Sequence, residues 1–501
     1  MYPLSEYIGD VPYKLRRISD TKSASLEKKN FNIRTINVKD KNQNYNQNIS
    51  GIKSDIYLAL MPLYYVAKIC GLYPVEIKSR GGGIYTSKLY KPAVIYGVSL
   101  AAAFIASQAW GLWRDLRNGW KNSTRLSSQT ALTVTCTDVT AIVTVMITAI
   151  SNAPFRWNYL QKAIKILAEI DEKIGNLEMK RLQRITIMLI FCPLIYLIVI
   201  SVLDFKAWKL SDSRKPQLLP DKGQINYLPL YFMYIIITVF EAQYALITFN
   251  VGERFSRLNR FSRKILKCNK ILEVATEFKQ QEHLITIPTI SSDLSRTKKI
   301  KTHEGIAAGN HALIDSISTL TTLHGNLCDS TSLINIAFGI PLLTCVLGCM
   351  LHLINTCYFL YTEIKEEDYS GYFLITQPLW VIFHIVMLFL LVQPCYMAIV
   401  KSRETTLLVS QLLTLKWDPD VQKQLEIFSL QLLHRPLNFS ACGLFSIDRG
   451  LVTSIAGAVA TYLVILVQFQ NENDCSQGTK DLKNATDIIF KNLSLAKIPK
   501  T

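Results

Sequence analysis

Seven long apolar stretches, five of them without a single Asp, Glu, Lys or Arg, constrain this chain more than any other feature. They run over 92–113, 130–150, 185–203, 226–252, 332–362, 371–400 and 450–470. Roughly 20 apolar residues in a helix cover the hydrocarbon core of a bilayer. In that medium a spanning backbone must satisfy its own hydrogen bonds, and a helix does so. The blocks therefore predict an all-α membrane protein with seven transmembrane helices. An eighth apolar stretch, 57–75, carries Lys68 and is interrupted by Pro62 and Pro74. It reads as an N-terminal re-entrant or interfacial helix.

Only 19% of the 501 residues are charged, below the roughly 25% of a soluble chain. The net charge of +17 raises the question of nucleic acid. The basic residues lie in loops between the apolar blocks, however, and no nucleic-acid-binding module is legible. Juxtamembrane Lys and Arg facing anionic lipid account for the charge, so the expected partner is the lipid bilayer and not nucleic acid. The first 30 residues are polar and basic, without an apolar core or small-residue cleavage site. No signal peptide is expected, and the N-terminus is placed in the cytosol. Seven spans then put the C-terminus outside. Lys and Arg are about equally dense on both sides, so the positive-inside rule does not set the orientation. The sequons at Asn122, Asn484 and Asn492 fall on the outer side as glycosylation candidates, whereas those at Asn48 and Asn438 do not.

Of the eleven cysteines, Cys136, Cys192, Cys345, Cys349, Cys357 and Cys395 fall in apolar spans, where a thiol acts as a small hydrophobe. Cys475 lies in a segment placed outside. No CxxC or Cys/His spacing is present, so neither a disulfide framework nor a metal is expected. His352 and His384 on apolar spans read as satisfied buried histidines. No nucleophile–base set, phosphate loop or HExxH points to an enzyme, and no cofactor is implied.

The chain divides into a disordered cytosolic N-terminus (1–55, Asn-rich over 42–50), the N-terminal helix with spans one to four (56–249), and a long cytosolic loop (250–331). In that loop Phe255, Leu258, Phe261, Ile265 and Leu272 form a helical stripe extending the fourth span. A polar insert is expected at 280–305, after which a helix resumes near His311. Spans five and six (332–400), a cytosolic anchor region (401–449) in which His434 and Arg435 anchor the approach to the last span, that span itself (450–470) and an extracellular tail (471–501) complete the layout.

The last span ends Thr461 to Phe469, reading TYLVILVQF. It resembles the closing signature of insect gustatory receptors, TY followed by five apolar residues and QF. Gly71-Leu72-Tyr73-Pro74 resembles the family's GLFP-like turn. The run 433–452, LHRPLNFSACGLFSIDRGLV, resembles its approach to the last span, with Phe439, Gly443, Phe445 and Asp448 at matching positions. The helix 318–341 is similar to the one feeding the fifth span. The resemblance covers nearly all of the chain beyond residue 55 and is nearest to the sugar-sensing branch that includes fructose receptors. The long N-terminus and the 280–305 insert depart from shorter members.

The resemblance implies a cytosolic N-terminus, a plasma-membrane location and a homotetrameric cation channel gated by a small-molecule tastant, with a co-receptor as a further partner in some cases. It also implies a sugar pocket lined by Thr356 and Tyr358 of the fifth span and Gln377 and Trp380 of the sixth. A sugar needs hydrogen-bond partners for its hydroxyls and an aromatic plane for its C–H faces. Gln377 and Trp380, three apart, share a helix face, whereas Thr356 and Tyr358 are splayed by about 200°. The alternative is that Trp380 and Tyr358 belong to an interfacial aromatic belt.

Asp138 and Glu241 cost about 2.5–3.5 kcal/mol each in hydrocarbon and are functional candidates by default. Either they meet a polar ligand in a water-filled cavity, or they are held in a structural network. On the last span, small residues at Ala456, Gly457, Ala458 and Ala460 permit close helix approach. Below them Thr461, Ile465 and Gln468 share one face, and Tyr462, Ile465 and Phe469 the neighbouring one. With four copies around an axis these faces make a pore wall and gate, apolar enough to close by dewetting.

The function expected is a sugar-gated, non-selective cation channel, fructose being the first candidate. The same fold gated by a bitter or other non-sugar tastant is the nearest alternative. A G-protein-coupled receptor is more remote, since DRY and NPxxY motifs are missing. A secondary transporter is disfavoured by the lack of internal repeats.

Overall fold

The computed structural model describes residues 52–53, 56–79, 84–117, 126, 129–175, 179–214, 223–283, 295–365 and 371–469. The expected sequons at Asn122, Asn484 and Asn492, the N-terminal segment up to residue 51, the 284–294 portion of the insert and the tail 471–501 with Cys475 lie outside them. Seven described helices are long and apolar enough to cross a membrane: α2 (Lys91–Arg117), α3 (Gln129–Ser151), α5 (Met179–Arg214), α7 (Leu228–His283), α8 (Ser295–Lys365), α9 (Gly371–Leu413) and α11 (Arg449–Phe469). They coincide with the seven apolar blocks and extend several of them. The fourth span continues to His283 as its apolar stripe predicts, while α8 begins at Ser295, about four turns before the expected His311.

Three elements were not legible. Helix α4 (Ala153–Ile174) is amphipathic and lies between the second and third spans. A small sheet joins β1 (Ile52–Lys53), β3 (Ile84–Leu89) and β2 (Val75–Ser79) in that order, all antiparallel. A tight hairpin of β4 (Ser440–Ala441) and β5 (Phe445–Ser446) sits between α10 (Pro419–His434) and α11. The short helices α1 (Ile56–Ile69) and α6 (Gly223–Asn226) complete the set. At 14 residues, α1 reaches about 21 Å, too short to cross.

The core is built around the membrane-spanning part of α7, most of which is buried in the bundle. It packs against α1, α3, α5, α8 and α9. Helix α9 approaches so closely that a Cβ on Gly252 would sit 3.4 Å from the backbone of Ala398. By contrast, α11 is exposed over most of its length.

Backbone chemistry explains several of the recognised sequence signatures. Gly71, at φ +72°, ends α1 in a Schellman turn: its N–H donates to the Lys68 carbonyl (3.1 Å) and the Leu72 N–H to Ala67 (2.9 Å). Leu72 is buried, as the hydrophobic residue of that motif should be. In the three-residue hairpin loop, Cys442 (φ 53°) and Gly443 (φ 72°) both occupy the left-handed region, at the centre of a turn closed by the Leu444 N–H donating to the Ala441 carbonyl (3.0 Å). Asp448 caps α11, its Oδ1 accepting from the Gly450 N–H at 2.8 Å. The hairpin is pinned to α8 by Asn335, which donates to the Asn438 carbonyl (2.9 Å) and accepts from the Ser440 N–H (3.3 Å). Arg435 pairs with Asp329 of α8, in keeping with an anchoring role.

Several polar groups inside the spans find partners along the backbone. Along α3, Thr137, Thr140, Thr144 and Thr148 return their hydroxyls to carbonyls four residues back. Pro341 in α8 lacks the N–H that would reach the Ala337 carbonyl. The Asn152 side chain donates there instead, at 3.1 Å.

Candidate functional site

Helices α3, α5, α7, α8 and α9 converge on a polar cleft. Each contributing stripe follows helical spacing: Tyr227, Tyr231 and Tyr234 by α7; Asn355, Thr356 and Phe359 on α8; Gln377, Trp380 and His384 on α9. Asp138 of α3 and Asp204 and Trp208 of α5 complete the polar and aromatic lining. Four of the six expected ligand residues, Asp138, Thr356, Gln377 and Trp380, thus line one cavity.

The other two are elsewhere. Tyr358 is fully buried and sits edge-on to Phe359, 5.9 Å between centroids, while Phe359 faces the cleft. This is the splay expected of residues two apart. Glu241 lies seven residues beyond Tyr234 on the same face of α7, about 10 Å deeper. There it lines a smaller cavity and accepts from Cys345 Sγ at 2.7 Å. The two cavities share Tyr234 and His384 as their dividing layer.

Aromatic planes stack through the cleft. Trp380 stacks on Tyr231 (6.4 Å, 20°) and on His384 (5.9 Å, 24°), and Tyr234 tilts against it at 5.0 Å. His384 stacks in turn on His352 (5.0 Å, 19°). Hydrogen bonds fix the acidic wall. Asp138 Oδ1 accepts from His352 Nδ1 (2.6 Å) and from Asn355 Nδ2 (3.3 Å). Asp204 Oδ2 accepts from the Tyr231 hydroxyl at 2.6 Å. Asp138 is therefore both part of a hydrogen-bond network and part of the cleft wall, so its two readings were not exclusive. His352 is buried and hydrogen-bonded, whereas His384 is buried and stacked on the rings of His352 and Trp380 without a side-chain hydrogen bond among the described residues; no metal-binding cluster occurs among them.

The cleft is tight. It leaves about 50 Å³ for the centres of water-sized molecules, enough for a few waters. A hexose-sized guest needs side chains here to move apart. Sequence reasoning missed Asp204, Trp208, Tyr227, Tyr231, Tyr234 and Asn355. The recoverable signal was the run of Tyr227, Tyr231 and Tyr234 opening the fourth span, spaced four and three apart.

The expected pore residues Thr461, Tyr462, Ile465, Gln468 and Phe469 are all exposed on α11. Arg449 ties the first turn of α11 to α9, donating to Gln393 Oε1 (3.2 Å) and lying over the Tyr396 ring (3.8 Å).

The chain is similar to the gustatory receptor for sugar taste 43a of Drosophila melanogaster, with 27% identity over 82% of this chain and 98% of the relative. It is also similar to the same species' putative gustatory receptor 28a, with 31% identity over 31% of this chain and 36% of the relative. Its fold matches that of the insect olfactory receptor OR5 from Machilis hrabei, with a TM-score of 0.51 at 12% identity over 83% of this chain and 99% of that one. The sequence profile of the 7tm chemosensory receptor family matches residues 60–473. The chain is a multi-pass membrane protein and belongs to that family.

Proposed function

We propose that the chain is a plasma-membrane taste receptor that acts as a sugar-gated, non-selective cation channel, with fructose as the first candidate ligand. The observation that carries this reading is the cleft. Carboxylate, amide and hydroxyl groups at Asp138, Asp204, Asn355, Thr356 and Gln377 stand around the Trp380 plane, the two kinds of surface that a sugar requires. Similarity to a receptor named for sugar taste over nearly its whole length supports the same ligand class.

For conduction, α11 supplies a long apolar helix with few contacts inside one chain. Four copies around an axis would cover it and place Thr461, Ile465 and Gln468 towards a common path, with Phe469 at the tip. Opening follows from a ligand only through its greater affinity for the open state. The orientation with a cytosolic N-terminus puts the cleft towards the outer side.

The test is whole-cell current from a heterologous cell expressing this chain alone, during a panel of sugars headed by fructose. A current that reverses near zero millivolts and vanishes in a surface-expressed Trp380→Ala variant supports the reading. Silence to every sugar with surface expression verified rejects the sugar assignment and favours a bitter or other non-sugar tastant. A response seen only through G-protein readouts rejects the channel.

A further inference from the structure

Tyr231 has two sides. Its hydroxyl closes the cleft through Asp204, while its ring forms part of a second cavity on the outer surface of the bundle. That cavity is an apolar groove between α5 and α7, lined among others by Leu197, Val202, Phe205, Phe232 and Ile235, with a volume of about 340 Å³. It is thus several times roomier than the cleft behind it.

The groove opens where the surrounding medium is lipid. Ile198, Val202 and Phe232 along it are 53%, 51% and 48% exposed within the apolar lengths of two spans. Lys206 stands at its rim, exposed, and makes no ion pair among the described residues. It lies three residues past the apolar stretch 185–203, at the height where a lysine reaches the headgroups. An unfilled concavity of this size would forfeit dispersion contacts along its whole lining.

We infer that this groove is a lipid site, which takes one acyl chain of a phospholipid between α5 and α7 and sets its phosphate against Lys206. The bound chain lies against the ring of Tyr231 and so backs one wall of the polar cleft. The site needs no tastant and stands or falls apart from the sugar reading.

The test uses the full chain in phosphatidylcholine bilayer discs doped with phosphatidylcholine bearing a mid-chain diazirine. After irradiation, adducts are mapped by peptide mass spectrometry. Labelling should concentrate on the groove residues of 197–206 and 228–235, above that of the equally lipid-facing Phe191 and Ile195 on the same helix. Val202→Trp fills the groove and should cut the groove adducts several-fold while leaving Ile195 labelled. If that variant fails to elute as folded protein, Val202→Phe serves the same purpose. Lys206→Glu should weaken labelling by the phospholipid probe but not by a diacylglycerol carrying the same diazirine. Equal labelling of groove and non-groove residues, or adducts unmoved by filling the groove, would show annular lipid only and overturn the site. Equal effects of Lys206→Glu on both probes would overturn the phosphate contact.

Discussion

Asp138 on α3 and His352 on α8 meet at 2.6 Å across the wall of the cleft, and the same carboxylate oxygen also receives Asn355. One atom therefore joins two helices and borders the space a ligand would enter. Hydrogen bonds to charged groups contribute about 1.5–3 kcal/mol. Asp138→Asn should raise the half-maximal fructose concentration by roughly ten- to a hundredfold. Combining it with His352→Gln should add much less than the sum of the single effects. Dose–response currents normalised to surface protein check both; full additivity would show that the pair acts separately.

Trp380 should be graded in its effects. Trp380→Phe keeps an aromatic plane against Tyr231 and His384 and should weaken the sugar response modestly, by about 1 kcal/mol or roughly fivefold. Trp380→Ala should abolish it. Equal responses from the two variants would show that the ring packs the bundle without meeting the ligand.

Arg156 of α4 is fully buried. It donates to the carbonyls of Ala149 (3.0 Å) and Leu72 (2.9 Å) and lies against the rings of both Phe240 and Phe338, which touch each other. Burial pushes its pKa down to about 10, so it remains a cation at neutral pH. A lysine cannot copy the planar fork. Arg156→Lys should lower thermal stability in detergent by one charge-assisted bond, about 1.5–3 kcal/mol, and Arg156→Met by more. Thermal unfolding followed by fluorescence size exclusion measures the order of the three proteins.

Asn152 and Pro341 should compensate each other. Asn152→Leu leaves the Ala337 carbonyl without its donor and should cost about 1 kcal/mol. Pro341→Ala restores a backbone N–H at that position, so the double variant should recover stability lost by Asn152→Leu. A double variant no more stable than the single one would show that the carbonyl is satisfied in another way.

On α11, cysteine at Thr461, Ile465 or Gln468 should react with a charged thiol reagent and lose current only while agonist is present. Leu463→Cys, on the opposite side of the helix, should not. The unsubstituted chain sets the background from Cys192 and Cys442, which are exposed. Equal modification at Leu463 would remove the proposed pore face.

The seven spans were legible because a bilayer demands one thing of a sequence, an uncharged apolar run of fixed length. The extension of α7 was legible for a similar reason, since Phe255 and Leu258 keep the helical stripe and are both buried. Helix α4 was not, because Lys162, Lys165, Glu169 and Glu172 on its exposed face break up the apolar run in the sequence, although its buried stripe keeps helical spacing. The cleft was half legible. Gln377 and Trp380 share one helix and are paired by spacing alone. Asp204 and Tyr231 are 27 residues apart on two helices, and only tertiary packing brings them together. Tyr358 shows the converse, since adjacency in the chain placed it beside Thr356 while the helix turned it away.

Helix α8 carries Asn355 at the cleft and Asn335 at the hairpin that feeds α11. The two are 20 residues apart, about 30 Å along the axis. The molecule thus contains a lever whose ends are held by different customers. A rigid tilt of about 3° about one end carries the other some 1.5 Å, a large fraction of a side-chain contact. On the proposed reading, this one helix would carry a displacement from the ligand cleft to the hairpin that leads into the pore helix.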